Sequence, residues 1–134
     1  MAEWYAIIES TIFTIVQYNL KTRTDAPFPG LNCTTANAKE TPSTFPTLYL
    51  HELNPLEQGQ DLENTEINSI LHSVEIQVFS NKSEAEVRNI MASAIAEMKK
   101  LRYSVTLFPD PITNNKVSKA VARFRRTIAK DDVL

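Results

Sequence analysis

The segment from Leu71 to Leu101 constrains the fold more than any other, because its hydrophobic period changes once in the middle. Up to Phe79, apolar residues alternate with polar ones, which predicts a β-strand with one buried face and one wet or interfacial face. From Val87 onwards they recur every three or four residues, which predicts an amphipathic α-helix. The chain is therefore expected to pack at least one helix against a sheet.

Residues near Ser83 mark the start of this helix. Ser83-x-x-Glu86 is a capping box, and Asn81-x-x-Glu84 offers the same chemistry two residues earlier. The end of the helix carries the cations that its dipole favours, Lys99, Lys100 and Arg102.

The chain before Thr47 predicts a helix followed by a long loop. Apolar residues between Ala2 and Leu20 recur at helical spacing. Residues 24–46 contain four of the prolines and predict a loop that can hold one short edge strand around Leu31–Thr35.

The remaining segments predict strands and turns. Alternation indicates strands at Thr47–Leu53 and Tyr103–Leu107, and the acidic residues 54–66 are typical of a hairpin loop. Asn114-Asn115 indicates a turn. Periodicity leaves residues 117–128 open between a strand and a helix.

These elements predict a single α+β domain over residues 1–134. We expect a mostly antiparallel sheet of about four strands, with the N-terminal helix and the second helix packed on one face. With 43% hydrophobic residues, the chain can bury one core. Glu3 and Glu9 interrupt the apolar N-terminal segment, so it predicts neither a signal peptide nor a membrane span.

No catalytic, cofactor-binding or metal-binding residue is predicted. Cys33 is the one cysteine and lies in a polar stretch without a nearby histidine, which favours an incidental loop thiol over a nucleophile. His51 and His72 are the only histidines, too few for a zinc site with one thiol. A histidine pair across neighbouring strands stays open, although surface or interface positions are favoured. An enzyme is therefore the least favoured class.

Charge is segregated along the chain, although the net charge is only -2. The candidate interface residues form an acidic and a basic group, Glu57, Asp61, Glu63 and Glu66 against Lys119, Arg123, Arg125 and Arg126. Two solvated faces are the simplest interpretation. Head-to-tail association of acidic and basic groups is the second. The third is contact of "ARFRR" with nucleic acid, which the single aromatic and the acidic balance argue against.

Four segments together resemble a known family. They are "FPTLYLHEL" (45–53), "GQDLENTEINSILHSVEIQVFSNKS" (59–83), "VRNIMASAIAEMKKLRYSVT" (87–106) and "VARFRRTIAKDDVL" (121–134). The set is similar to the tail completion, or tail terminator, proteins of long-tailed siphovirus-type phages and prophages of Gram-positive bacteria. The similarity covers most of the chain from Phe45 onwards, and residues 24–44 are its least distinctive part.

The resemblance implies a structural virion protein without catalytic residues. Such proteins form a homo-oligomeric ring, six-fold in related terminators, at the head-proximal end of the tail, where they stop tube elongation and mediate head–tail joining. The implied partners are other copies, the major tail tube protein and head–tail connector proteins. DNA would only pass through the ring, no membrane is involved, and assembly would take place in the host cytoplasm. The resemblance also favours a strand for residues 117–126. The alternative to the terminator role is that of a head–tail connector or stopper protein.

If the basic group contacts acidic residues of a neighbouring subunit, simultaneous charge reversal at Arg123, Arg125 and Arg126 should weaken assembly. The measurement is head–tail joining by a phage that carries the triple variant. Normal joining would remove charge pairing from the explanation.

Overall fold

The computed structural model describes residues 4–35, 44–58, 69–129 and 132, with the backbone alone at 4 and 54–58. The helical elements are a 3₁₀ turn at Trp4–Ile7, α1 at Ile8–Gln17, a π-helical turn at Tyr18–Thr22 and α2 at Glu84–Lys100. The strands are β1 at Asn32–Thr34, β2 at Thr47–Gln58, β3 at Ser69–Ser80, β4 at Ser104–Leu107, β5 at Ile112–Asn114 and β6 at Val117–Ala129.

The strands form one six-stranded sheet in the order β1-β2-β3-β6-β4, with β5 also paired to β6. Among the described strands, only the β1–β2 pair is parallel; the other pairs are antiparallel. The predicted α+β domain with a mostly antiparallel sheet is confirmed. The strand count exceeds the expected four because it includes the short edge strand β1 and also β5, whose three residues are too few to show a period.

The core lies between the sheet and the two helices. Val74, Ile76 and Val78 point from β3 into it, as their alternation predicts, and all three are fully buried. Both helices contribute to the same cluster, and each large apolar side chain buried there stabilises the fold by roughly 1.5–3 kcal/mol. Asn19 Nδ2 also donates to the buried Glu97 of α2 at 2.6 Å, which links the end of the first helical segment to the second.

The start of α2 shows one half of the later predicted capping box, with Ser83 as the N-cap residue. The backbone N–H of Glu86 donates to Ser83 Oγ at 3.1 Å, and Ser83 has an extended backbone. The Glu86 carboxylate accepts instead from the hydroxyl of Ser80, at the end of β3. The cap therefore ties the helix start to the strand before it.

The end of α2 is a Schellman turn. Arg102 N donates to Lys99 O at 2.9 Å and Tyr103 N donates to Met98 O at 3.0 Å. Arg102 has φ of 67°, in the left-handed region. Glycine is the usual residue at this position, and a side chain there costs about 1 kcal/mol.

Residues 117–129 form a strand, which decides between the two periodicities. β6 pairs with β3 in an unbroken register from Ser69↔Ala129 to Ser80↔Ser118. It is joined to β5 by a two-residue turn in which Asn115 and Lys116 have φ of 51° and 66°. Positive φ at both positions is typical of a tight hairpin. The turn predicted at Asn114-Asn115 is confirmed within one residue.

Two predicted boundaries need correction. β2 continues to Gln58, so the predicted loop at 54–66 is wrong for its first five residues. Pro55 lacks the N–H that a regular ladder needs, and the register with β3 shifts between Leu53 and Leu56. The N-terminal segment is α-helical only at Ile8–Gln17. The short edge strand expected within the proline-rich loop is confirmed as β1.

The cap of α2 gives a direct stability test. Ser83→Ala should lower the free energy of unfolding by about 1 kcal/mol, because it leaves the Glu86 N–H without its acceptor. Asn81→Ala is the matched control and should change it by less than about 0.5 kcal/mol. Urea denaturation of both variants measures the difference. A larger loss in Asn81→Ala than in Ser83→Ala would mean that the earlier box caps the helix.

Candidate functional site

A row of polar side chains crosses the sheet on the face that the helices leave open. His51, Glu75 and Arg123 are register partners on β2, β3 and β6. Arg123 Nε lies 2.8 Å from Glu75 Oε2, and His51 Nε2 lies 3.5 Å from Glu75 Oε1. Gln77 Nε2 donates to the same Oε1 at 2.7 Å. The central carboxylate therefore holds the Arg123 guanidinium in place.

Glu75 remains ionised although only 7% of its surface is exposed. Burial raises the pKa of this carboxyl, but hydrogen bonds from Gln77 and Arg123 and the nearby positive charge outweigh burial. Its pKa consequently lies below the ordinary value of 4.5. Such paired carboxylates support a fixed ion-pair geometry.

Aromatic residues flank this row and are themselves largely covered. Tyr49 stacks on His51 with ring centroids 4.6 Å apart, and Lys119 Nζ lies 5.3 Å above the centre of the Phe79 ring. Tyr49 and Phe79 are both buried. The open face is therefore a packed layer under charged side chains rather than a simple solvated surface.

The structure separates the four predicted basic residues. Lys119, Arg123 and Arg125 are exposed at alternate positions of β6, on the open face. Arg126 lies on the opposite face with 7% exposure, and its Nη1 donates to Leu101 O at 3.0 Å. Reversing Arg126 would leave that buried carbonyl facing a carboxylate. The charge-reversal test is therefore cleaner without it.

The structure describes one of the four predicted acidic residues, Glu57. Glu57 lies on β2 opposite Ile70, and Asp61, Glu63 and Glu66 lie outside the described residues. Their contact with the basic group stays a prediction.

Sequence reasoning missed an exposed apolar set at the sheet edge. It consists of Leu107, Phe108 and Ile112, with 43%, 70% and 67% exposure, and we call it the apolar edge. In the sequence, its signal is an apolar run interrupted by Pro109 and Pro111, directly after the predicted strand at Tyr103–Leu107. Leu107 pairs with Arg123 and Ile112 with Lys119. The apolar edge thus adjoins the exposed cations of β6.

The histidines occupy opposite faces, so no pair forms across the strands. His72 is fully buried, and the prediction of a surface or interface position is wrong for it. Its Nδ1 lies 2.7 Å from Tyr103 Oη, and its Nε2 lies 2.7 Å from Glu52 Oε2. A neutral imidazole can satisfy both neighbours, accepting from the phenol and donating to the carboxylate. These two hydrogen bonds link Tyr103, His72 and Glu52 and stabilise the core.

Cys33 lies on β1 and packs partly against the core. Burial raises the pKa of its thiol to about 11, partly offset by the charge of Lys21. The thiolate is the nucleophilic form, so this environment does not activate the side chain.

The described residues contain no group of three or more His, Cys, Asp or Glu side chains that could hold a metal ion. Within the same residues, no helix has the length and apolarity to cross a membrane.

Comparison of the chain with protein-family models and with curated protein sequences returned no match.

Glu75 predicts a specific pH dependence. Its folded pKa is depressed, so its contribution to stability is complete above about pH 4.5 and declines as the pH falls through the folded value. Glu75→Gln should lower the free energy of unfolding by about 1–2 kcal/mol at neutral pH. The difference from wild type should shrink on acidification, as measured by urea denaturation across the acid range.

Arg123→Gln changes the other member of the ion pair with Glu75 and is matched to Glu75→Gln. Loss of the guanidinium should raise the pKa of Glu75, which NMR titration of the carboxyl carbon measures. A difference between Glu75→Gln and wild type that stays constant with pH would contradict this account.

Proposed function

We propose that this chain is a structural subunit of a phage tail, a tail completion or terminator protein. In this proposal it forms a ring at the head-proximal end of the tail, caps the tail tube, stops its elongation and mediates head–tail joining. The family is suggested by the four sequence segments quoted above. The observation that carries an assembly role is the apolar edge beside exposed cations.

The apolar edge supports association through its exposed area. Leu107, Phe108 and Ile112 lie on or beside short strands at one side of the sheet. Aromatic side chains at the centre of an interface commonly contribute 2 kcal/mol or more to binding, whereas rim charges mainly fix orientation. The apolar edge would form the centre of such an interface, and Lys119 and Arg123 would lie at its rim.

The sequence offers a counterpart for the rim within the same chain. Glu57, Asp61, Glu63 and Glu66 lie in a stretch without Lys or Arg. In the proposed assembly, the acidic stretch of one subunit faces the cations of the next. Contacts between unlike surfaces of identical subunits produce a ring when their rotation closes.

A connector or stopper protein of the neck is the second candidate, because it uses the same kind of contacts with another partner. Deletion of the gene distinguishes the two. Tails of uncontrolled length indicate a terminator, and tails of normal length that fail to attach to heads indicate a stopper.

A nucleic-acid-binding module is less favoured. The aromatic residue of "ARFRR" is Phe124, which is fully buried in the core. It cannot serve as a stacking platform for bases. The adjacent Arg125 and Arg126 lie on opposite faces of the sheet.

The apolar edge gives a test of the proposal. Phe108→Ser combined with Ile112→Thr should leave folding intact, because both side chains are exposed, and should weaken subunit association at least about 30-fold. Sedimentation velocity and negative-stain microscopy, with and without tail tube protein, measure rings and smaller species.

Ile7→Ser is the control, because Ile7 is 60% exposed and lies beside α1, which packs near β2, away from the apolar edge. It should form rings like wild type. A wild-type chain that stays monomeric even with the tube protein, or a double variant that assembles normally, would contradict the proposed contact.

A further inference from the structure

Arg123 is an exposed cation that a buried carboxylate holds in place. Its Nε lies 2.8 Å from Oε2 of Glu75. The Arg123 side chain is 52% exposed, whereas Glu75 is buried. Within the described residues, Glu75 is the one carboxylate within 4 Å of the Arg123 nitrogens. The ion pair therefore has a buried anionic end and presents its cationic end on the open face.

Neighbouring side chains fix the orientation of the Glu75 carboxylate. Gln77 Nε2 donates to its Oε1 at 2.7 Å, and His51 Nε2 lies 3.5 Å from the same oxygen. Tyr49 stacks on the His51 ring. One carboxylate oxygen thus faces Gln77 and His51, and the other accepts from Arg123. Because the carboxylate is held on both sides, it fixes the direction of the guanidinium as well.

The chemistry of a guanidinium group leaves room for a second carboxylate. The group has five N–H donors, and the Nε–H of Arg123 donates to Glu75. The other four belong to the two terminal nitrogens, whose fork geometry matches the two oxygens of a carboxylate. An arginine that is already held loses less side-chain freedom on binding than a mobile one. Such a group favours a contact of defined direction.

From this geometry we propose that Arg123 is the anchor that receives a carboxylate from a second copy of the chain, and that Glu75 is its positioning residue. The acidic stretch at residues 54–66 supplies the carboxylate, which comes from Glu57, Asp61, Glu63 or Glu66. The inference deepens the proposed assembly, and its choice of partner rests on that proposal.

The apolar edge adjoins the anchor. Leu107 is the register partner of Arg123 on β4 and is itself exposed. When an apolar surface is covered by a partner, water leaves the neighbourhood of the ion pair, and the attraction between the charges becomes stronger. Arg123 then sets the direction in which two subunits meet, while the apolar edge supplies contact area.

Arg125 is the natural comparison for Arg123. It lies two residues further along β6 and is exposed on the same face. Its register partners are Ser73 on β3 and Ser104 on β4. Both partners are neutral, so the register supplies no carboxylate to hold this guanidinium. Arg125 therefore has the charge of the anchor without its support.

Binding of a synthetic peptide to the full chain tests the anchor. The peptide has the sequence of residues 54–66 with both ends blocked, so its charge comes from its four acidic side chains. NMR titration at constant ionic strength, with protein dilute enough to be monomeric, should show saturable shifts of the β6 amides and of the Arg123 Nε–H. A peptide with the four acids replaced by their amides should not bind.

Two variants keep the positive charge and change only its geometry. Arg123→Lys removes the fork and should weaken peptide binding about 10-fold. Arg125→Lys is the matched control and should change the affinity by less than about 2-fold. Both side chains are exposed, so neither change should disturb folding. Equal affinities of the two variants would overturn the anchor, because charge alone would then explain the binding.

Glu75→Gln separates positioning from charge. It removes a negative charge beside Arg123, so charge alone predicts tighter binding of the acidic peptide. Positioning predicts weaker binding, by roughly 3-fold to 10-fold, because the guanidinium loses its support. Urea denaturation checks that the variant is folded under the conditions of the titration. Tighter binding would overturn the role of Glu75.

The result for the anchor can be told apart from the result for the tail function. If rings form with the tube protein and neither ring formation nor peptide binding responds to Arg123→Lys, the anchor is overturned and the tail function stands. If the peptide binds through Arg123 but the chain never forms rings with the tube protein, the anchor is supported and the tail function is contradicted.

Discussion

The pairing of β3 with β6 is the interaction on which the rest of the structure depends. It runs without a break over the full length of β3, from Ser69 to Ser80. Because side chains alternate between faces, a slip of one residue would move Val74, Ile76 and Val78 out of the core. The same register brings Glu75 opposite Arg123. The core and the polar row on the open face are therefore fixed together.

Local signals explain how much of this fold the sequence could predict. The strand and helix between Leu71 and Leu101 have a clear change of period and a cap, and both were predicted correctly. β6 was ambiguous because small residues such as Ala120 and Ala122 suit either face of a strand or a helix. The three-residue strand β5 depends on pairing with β6, which no local period reveals.

The candidate sites were less accessible to sequence reasoning, because they depend on which strands are neighbours. Arg125 and Arg126 are adjacent in the sequence, and sequence reasoning therefore places them in one basic group. A strand sends them to opposite faces, so the basic group divides between the open face and the face that carries the helices. The apolar edge likewise required the structure, since Leu107, Phe108 and Ile112 are ordinary core residues by composition.

β2 and β6 each extend beyond a short neighbouring strand, β1 or β4, and a carboxylate covers each extension. The N–H of Glu52 on β2 donates to Glu9 Oε2 at 2.6 Å, and the N–H of Ala129 on β6 donates to Asp132 Oδ2 at 2.9 Å. Each carboxylate occupies a donor that an incoming strand from another molecule would use. Backbone pairing of separate copies into fibrils is thereby disfavoured.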